Sequence, residues 1–147
     1  MPRIDPAQIG EVDLKEVLQR LLAQHHPAHL AKMQRYYEGD HDILRRQMTD
    51  ATKPNNKIAN NMARLITDTI TGYFMGKPVA YSTDDENEEY LEVLKDIFDA
   101  NSEQDHNSEL AKAMSIKGAG YELLYLDEEP DVRFVDLPRE DVIYVRT

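Results

Sequence analysis

Apolar residues recur at three- and four-residue steps through most of the first 117 positions and give way to β-rich runs after them, so the chain reads as helices first and strands last. Leu14, Val17, Leu18, Leu21 and Leu22 form one stripe. Asp13 with Glu16 three residues later resembles a capping box, and together they predict a helix over about residues 13–25. Pro27 suits the first turn of a second helix carrying Leu30, Met33 and Tyr37, with Gly39 as a left-handed exit. "DHDILRRQM" adds a short turn, and "TDATKPNN", residues 49–56, is a loop of turn formers in which Pro54 disfavours helix before it.

The most distinctive stretch is "KIANNMARLITDTITGYFMGKPV", residues 57–79. Ile58, Met62, Leu65, Ile66, Thr69, Ile70 and Tyr73 align on one face of a helix expected from about Asn56 to Met75, roughly 28 Å long. That face is expected to be buried, with Asn61, Arg64, Asp68 and Thr71 opposite, and Gly76 and Pro78 end the helix. "VAYS", residues 79–82, is expected as a short strand. Asp84, Asp85 and Glu86 place negative charge at the next helix start, whose inward face is Leu91, Leu94, Ile97 and Phe98. A polar break at "NSEQDHNS" precedes a helix over about Asn107–Lys117, with Leu110, Ala113 and Met114 inward and Gly118 and Gly120 closing it. "YELLYLD", "DVRFVDL" and "DVIYVRT" read as strands, the first two joined by the acidic turn "DEEP". The fold class expected is α+β: a mostly helical N-terminal two thirds followed by a small antiparallel sheet, within one domain over residues 1–147. Its parts are a helical lead-in over about 1–52, scaffold helices over 53–117 and the sheet over 118–147. Ending directly after a strand-like run, the chain is expected to be incomplete.

Composition sharpens this picture. A chain of 147 residues suits one compact domain with a genuine core, burying roughly 70% of its unfolded surface. With 28 acidic against 17 basic residues, the formal charge of −11 opposes adhesive binding to nucleic acid or an anionic membrane. An acidic wall could still border a passage along which DNA slides without sticking. There are no cysteines, which removes disulfides, thiolate nucleophiles and Cys-ligated zinc. The first residues lack the apolar core of a signal peptide, and no window is long and uncharged enough to span a membrane.

Candidate chemistry is sparse. "GYFMGKP" brings Gly72, Gly76 and Lys77 near a phosphate-binding loop, but three residues separate its glycines, Pro78 follows the lysine, and a helix precedes it. It reads as a helix exit. His25, His26, His29 and His41 lack metal-site spacing because Pro27 interrupts them, and Asp105–His106 reads as a helix cap. The carboxylates of "DDENEE" and "DEEPD" fall on turns and helix starts, and no serine occupies a nucleophile elbow. No catalytic, cofactor-binding or metal-binding residue is assigned. Gly72 and Gly76 allow close backbone approach, while Asn60 and Asn61 suit a half-buried subunit seam.

"YYEGDHDILRR" (36–46), "KPNNKIANNMARLITDTITGYFMGKPVAYS" (53–82), "EQDHNSELAKAMSIKGAGYELLYLD" (103–127) and "RFVDLPREDVI" (133–143) together resemble the N-terminal part of tailed-phage portal proteins. The type is that of siphophages of Gram-positive bacteria and their prophages. The resemblance implies a non-enzymatic subunit of a dodecameric ring at one capsid vertex, through which DNA is packaged and ejected and which joins head to tail. It implies the outer wing for this chain, with stem, clip and crown unmatched. Implied partners are other portal subunits, capsid and scaffold proteins, and double-stranded DNA passing without sequence-specific binding. Terminase and a head-tail adaptor would dock through the unmatched regions, and no cofactor or membrane is involved. The implied location is the virion, after assembly in the bacterial host cytoplasm. On this reading Ile58, Met62, Leu65, Ile66 and Ile70 pack on the subunit's own core. Asn60, Asn61 and Arg64 face a neighbour or solvent, and Tyr73, Phe74, Gly76 and Pro78 turn the chain into the sheet. The competing reading is a stand-alone acidic module that binds a partner through exposed apolar helices.

Overall fold

The computed structural model describes residues 14–50, 52–84 and 87–143. Helices α1 (Leu14–Gln24) and α2 (Pro27–Glu38) are followed by a 3₁₀ turn at Asp42–Arg45, then α3 (Met62–Met75), α4 (Glu88–Ala100) and α5 (Glu103–Lys117). Strands β1 (Tyr121–Leu126) and β2 (Val132–Leu137) and a 3₁₀ turn at Arg139–Asp141 complete the α+β fold.

Local chemistry explains most boundaries. Pro27 opens α2, where a missing N–H costs nothing, and Gly39 closes it at φ 89°. The Gly39 N–H donates to the Tyr36 carbonyl and the Asp40 N–H to that of Arg35, closing the last turn. Gly118, at φ 80°, ends α5 in the same left-handed region. β1 and β2 pair antiparallel with Tyr121 opposite Leu137 and Leu126 opposite Val132, joined by the acidic turn. Asp127 holds that turn by accepting from the Glu129 and Asp131 N–H groups and pairing with Arg133.

Two expected helix starts move, and two expected strands are not seen among the described residues. α3 starts at Met62 rather than Asn56, because residues 55–61 carry no helix and the side chain of Asn61 caps Met62–Met75 instead. α5 starts at Glu103, so the polar break shrinks to Asn101 and Ser102, the latter in a left-handed conformation at φ 50°. "VAYS" forms no strand: no neighbouring strand pairs with it among the described residues, and Tyr81 instead stacks on Phe98 and donates to Glu103. Val142 and Ile143 are not strand either. The rest of "DVIYVRT", like Asp13, Asp85 and Glu86, lies outside the described residues.

α5 is the hub. It meets α2, α3, α4 and β2. α3 begins at the C-terminal end of α2, where Asn61 Nδ2 donates to the Tyr37 carbonyl, and ends beside the start of α5, where Gln104 Nε2 donates to the Met75 carbonyl. The inward face expected for α4 is the observed one, since Leu91, Leu94, Ile97 and Phe98 are its half-buried positions. On α5, Leu110 and Ala113 are half-buried and Met114 is exposed, while Ala111 is the buried residue.

Among the described residues the interior is thinner than the genuine core expected for a chain of this length. Leu21, Leu30 and Ala111 are the buried apolar side chains among the described residues, joined by Thr67 and Thr71, and none of the described side chains is fully enclosed.

Candidate functional site

α3 carries a broad apolar arc, and the stripe it covers is not the one its periodicity points to. Thr67 and Thr71 are buried and Ala63 half-buried, a narrow stripe at four-residue spacing. Ile58, Met62, Leu65, Ile66 and Ile70, expected against the subunit's own core, are 53–76% exposed. The expectation fails for a physical reason. Small side chains let α3 and α5 approach closely, and the larger apolar arc then has no covering layer among the described residues. Ile66 and Ile70 border a groove of about 400 Å³ against Met33, Tyr36 and Tyr37 of α2. Beyond it, Tyr73, Phe74 and Met114 line a second of about 610 Å³.

The polar edge of α3 is tied inward. Asn61 Oδ1 accepts from the Arg64 N–H at 3.0 Å while its Nδ2 donates to Tyr37, so both ends of the amide serve this chain. The added Cβ that any residue but glycine would bring at Gly39 would press on Asn61 Nδ2 at 3.2 Å, so the positive φ and the close approach both favour glycine. The Arg64 guanidinium bonds Asp68 at 3.3 Å and lies over the Tyr37 ring, and Tyr37 Oη donates to the same carboxylate at 2.8 Å. Burial, then the Asp68 carboxylate, pushes the Tyr37 phenol above its ordinary pKa.

The seven residues singled out in the sequence therefore divide. Asn61 is half-buried and bonded at both ends within the chain, whereas Arg64 pairs with Asp68 yet stays exposed, as are Asn60 and Pro78; Tyr73 is 95% exposed and Phe74 66%. Gly76 supplies the helix exit in a right-handed conformation, where a Cβ would collide with the Gly72 carbonyl. Beyond the backbone of its own helix, no described residue comes within 4 Å of a Cβ placed on Gly72.

Three fasteners escaped sequence reading. Asn101 donates to the carbonyls of Ile97 and Val132 and accepts from the Phe134 N–H, stitching the end of α4 to β2. His106, read as part of a cap, sits inside α5 with its ring atoms Nε2 and Nδ1 2.7 and 3.4 Å from Glu122 and Asp136, which face each other across the hairpin. Lys117 pairs with Glu140 at 2.8 Å, and the ammonium holds that carboxyl below its ordinary pKa. His25 reaches the Glu140 carbonyl. Only the strand register and the packing of α5 bring these groups together; Asp136 lies thirty positions from His106 in sequence.

Among the described residues, the fold leaves broad apolar helix faces open over an interior of few buried side chains. Residues 20–147 match the sequence profile described as "Phage portal protein, SPP1 Gp6-like". The portal protein of Bacillus phage SPP1 is 32% identical over 148 residues, an alignment covering 94% of this chain and 29% of that relative. The chain belongs to the SPP1 Gp6-like phage portal protein family. It spans 29% of the length of the relative it matches.

Proposed function

We propose that this chain is wing-region polypeptide of a phage portal, a structural subunit of the ring at the capsid vertex. The ring provides the passage for DNA entering and leaving the head and joins head to tail. The observation that carries the reading is the long, in-order match to a portal protein over 94% of the chain. The open apolar arc of α3 supports it, because a subunit embedded in a larger assembly keeps such surface for its partners. The role is mechanical rather than catalytic. The partners are other portal subunits, capsid and scaffold proteins, and, through the parts of a portal that this chain does not match, terminase and the head-tail adaptor. Double-stranded DNA passes without being read, in keeping with the acidic balance of the chain. The site of action is the virion, after assembly in the host cytoplasm. No helix among the described residues is long and apolar enough to cross a membrane.

Electron microscopy of the complete product of the source gene tests this. Rings with a central channel, carrying residues 14–143 in the outer wing, are the expected result. A monodisperse monomer from a gene that stops at codon 147 would instead favour a stand-alone acidic interaction module.

A further inference from the structure

The charge of this chain is divided unequally along it. Residues 43–67 hold five basic side chains (Arg45, Arg46, Lys53, Lys57, Arg64) and one acidic, Asp50, a net of +4. Residues 84–109 hold eleven acidic side chains and one basic, Lys95, a net of −10, nearly the whole excess of the molecule. The fold sets the two at opposite ends of α3. The basic segment leads into its start beside Tyr37, and α4 joins α5 at its end beside Gln104, about 21 Å away for a helix of 14 residues.

Each pole has groups to offer. Arg45, Lys53 and Arg64 have carboxylate partners in the chain, but Arg46 bonds the neutral Asn55 side chain and the Asn56 carbonyl and has no carboxylate partner among the described residues. Lys57 is exposed beside Ile58, itself 76% exposed. On α4 the half-buried face leaves Glu89, Glu92, Val93 and Asp96 outward, with Tyr90 at their margin. Val93 and Tyr90 are 54% and 65% exposed, and Glu89 and Glu92 have no ion-pair partner among the described residues. A cation beside an aliphatic knob at one end thus complements carboxylates beside apolar side chains at the other.

We propose that the outward face of α4 docks Arg46, Lys57 and Ile58 of a second copy of this chain. The contact is head-to-tail: Arg46 and Lys57 meet Glu89, Glu92 and Asp96 while Ile58 covers Val93 and Tyr90. Two different patches meet, so the contact leaves a free pole on each side and propagates until a rotation closes it. Closure into a ring rests on the portal reading above; the contact itself rests on charge and exposure.

The chain has no cysteine, which permits a direct test. Lys57→Cys chain is mixed with Glu89→Cys chain under mild oxidation at low salt, helicity of each being checked first by circular dichroism. The mixed disulfide is expected to exceed either like-with-like product by about tenfold and to fade at about 1 M salt, where screening reduces the reach of charge to about 3 Å. Adding Glu92→Lys and Asp96→Lys to the Glu89→Cys chain is expected to remove the product, and Arg46→Glu in the other chain to restore it. Absence of the mixed disulfide, equal like-with-like products, or indifference to salt would overturn the contact. Rings of the complete gene product without this cross-link would sink the contact and leave the portal reading standing. The cross-link with no rings would do the reverse.

Discussion

Where α3 meets α5, the covered side chains are Thr67, Thr71 and Ala111, small groups that bring two backbones together by shape. Where α4 and α5 meet the hairpin and the 3₁₀ turn that follows it, the fasteners are polar: Asn101 on Val132 and Phe134, His106 between Glu122 and Asp136, Lys117 on Glu140. The hairpin seam is saturated within the chain, since each named polar group has its partner in place. The α3 side is half finished, its bulky apolar arc still facing water. One region is a closed structural joint and the other an open one, so substitutions in the two should be felt in different states of the protein.

The largest effect is expected at the hub itself. Ala111→Asp puts an unpaired carboxylate at a position 8% exposed and should cost about 3 kcal/mol or more, read as loss of the cooperative urea transition. Asn101→Ala leaves the Phe134 N–H and the Val132 carbonyl without their partner and should cost about 2 kcal/mol in the same measurement. Glu140→Gln should cost about 1 kcal/mol at neutral pH. Its pH signature is specific. The folded carboxyl is held below its ordinary value of about 4.5 by the Lys117 ammonium, so the unfolded chain takes up the proton first and the contribution fades as pH falls below about 4.5 and on through the depressed folded pKa. The variant should lack that acid-side loss. Ile66→Asp, at a position 55% exposed, should change the stability of this chain by less than about 0.5 kcal/mol while impairing assembly of a complete subunit. If it unfolds the isolated chain as Ala111→Asp does, the open joint is closed after all and the contrast fails.

Much of the fold was legible in the residues. Pro27 and Gly39 bound α2 at both ends, and the alternation around "DEEP" located the hairpin, because these are local choices made by backbone chemistry. The phase of α3 was not legible. Periodicity selects the bulky apolar arc, whereas close approach to α5 uses the stripe of small side chains at its edge, Ala63, Thr67 and Thr71. The start of α3 was missed because Asn61 looks like any polar residue until Tyr37 and Arg64 are placed beside it. The strand expected at "VAYS" failed for want of a partner, which no local propensity supplies. Of the candidate site, Tyr73 and Phe74 face outward, whereas the contacts that Asn61 and Arg64 make with Tyr37 join positions far apart in sequence and could not be read from local pattern.

The thin interior has a calorimetric consequence. Heat-capacity change on unfolding comes mainly from hydrocarbon newly wetted, and much of the aliphatic surface here is wet before unfolding begins. The isolated polypeptide should melt broadly, with an increment below the usual figure of about 12 cal/mol/K per residue. Seating the same residues in their finished surroundings should sharpen the endotherm and restore the missing increment, so a scanning calorimeter can register whether the helix face has been covered without any image of what covers it.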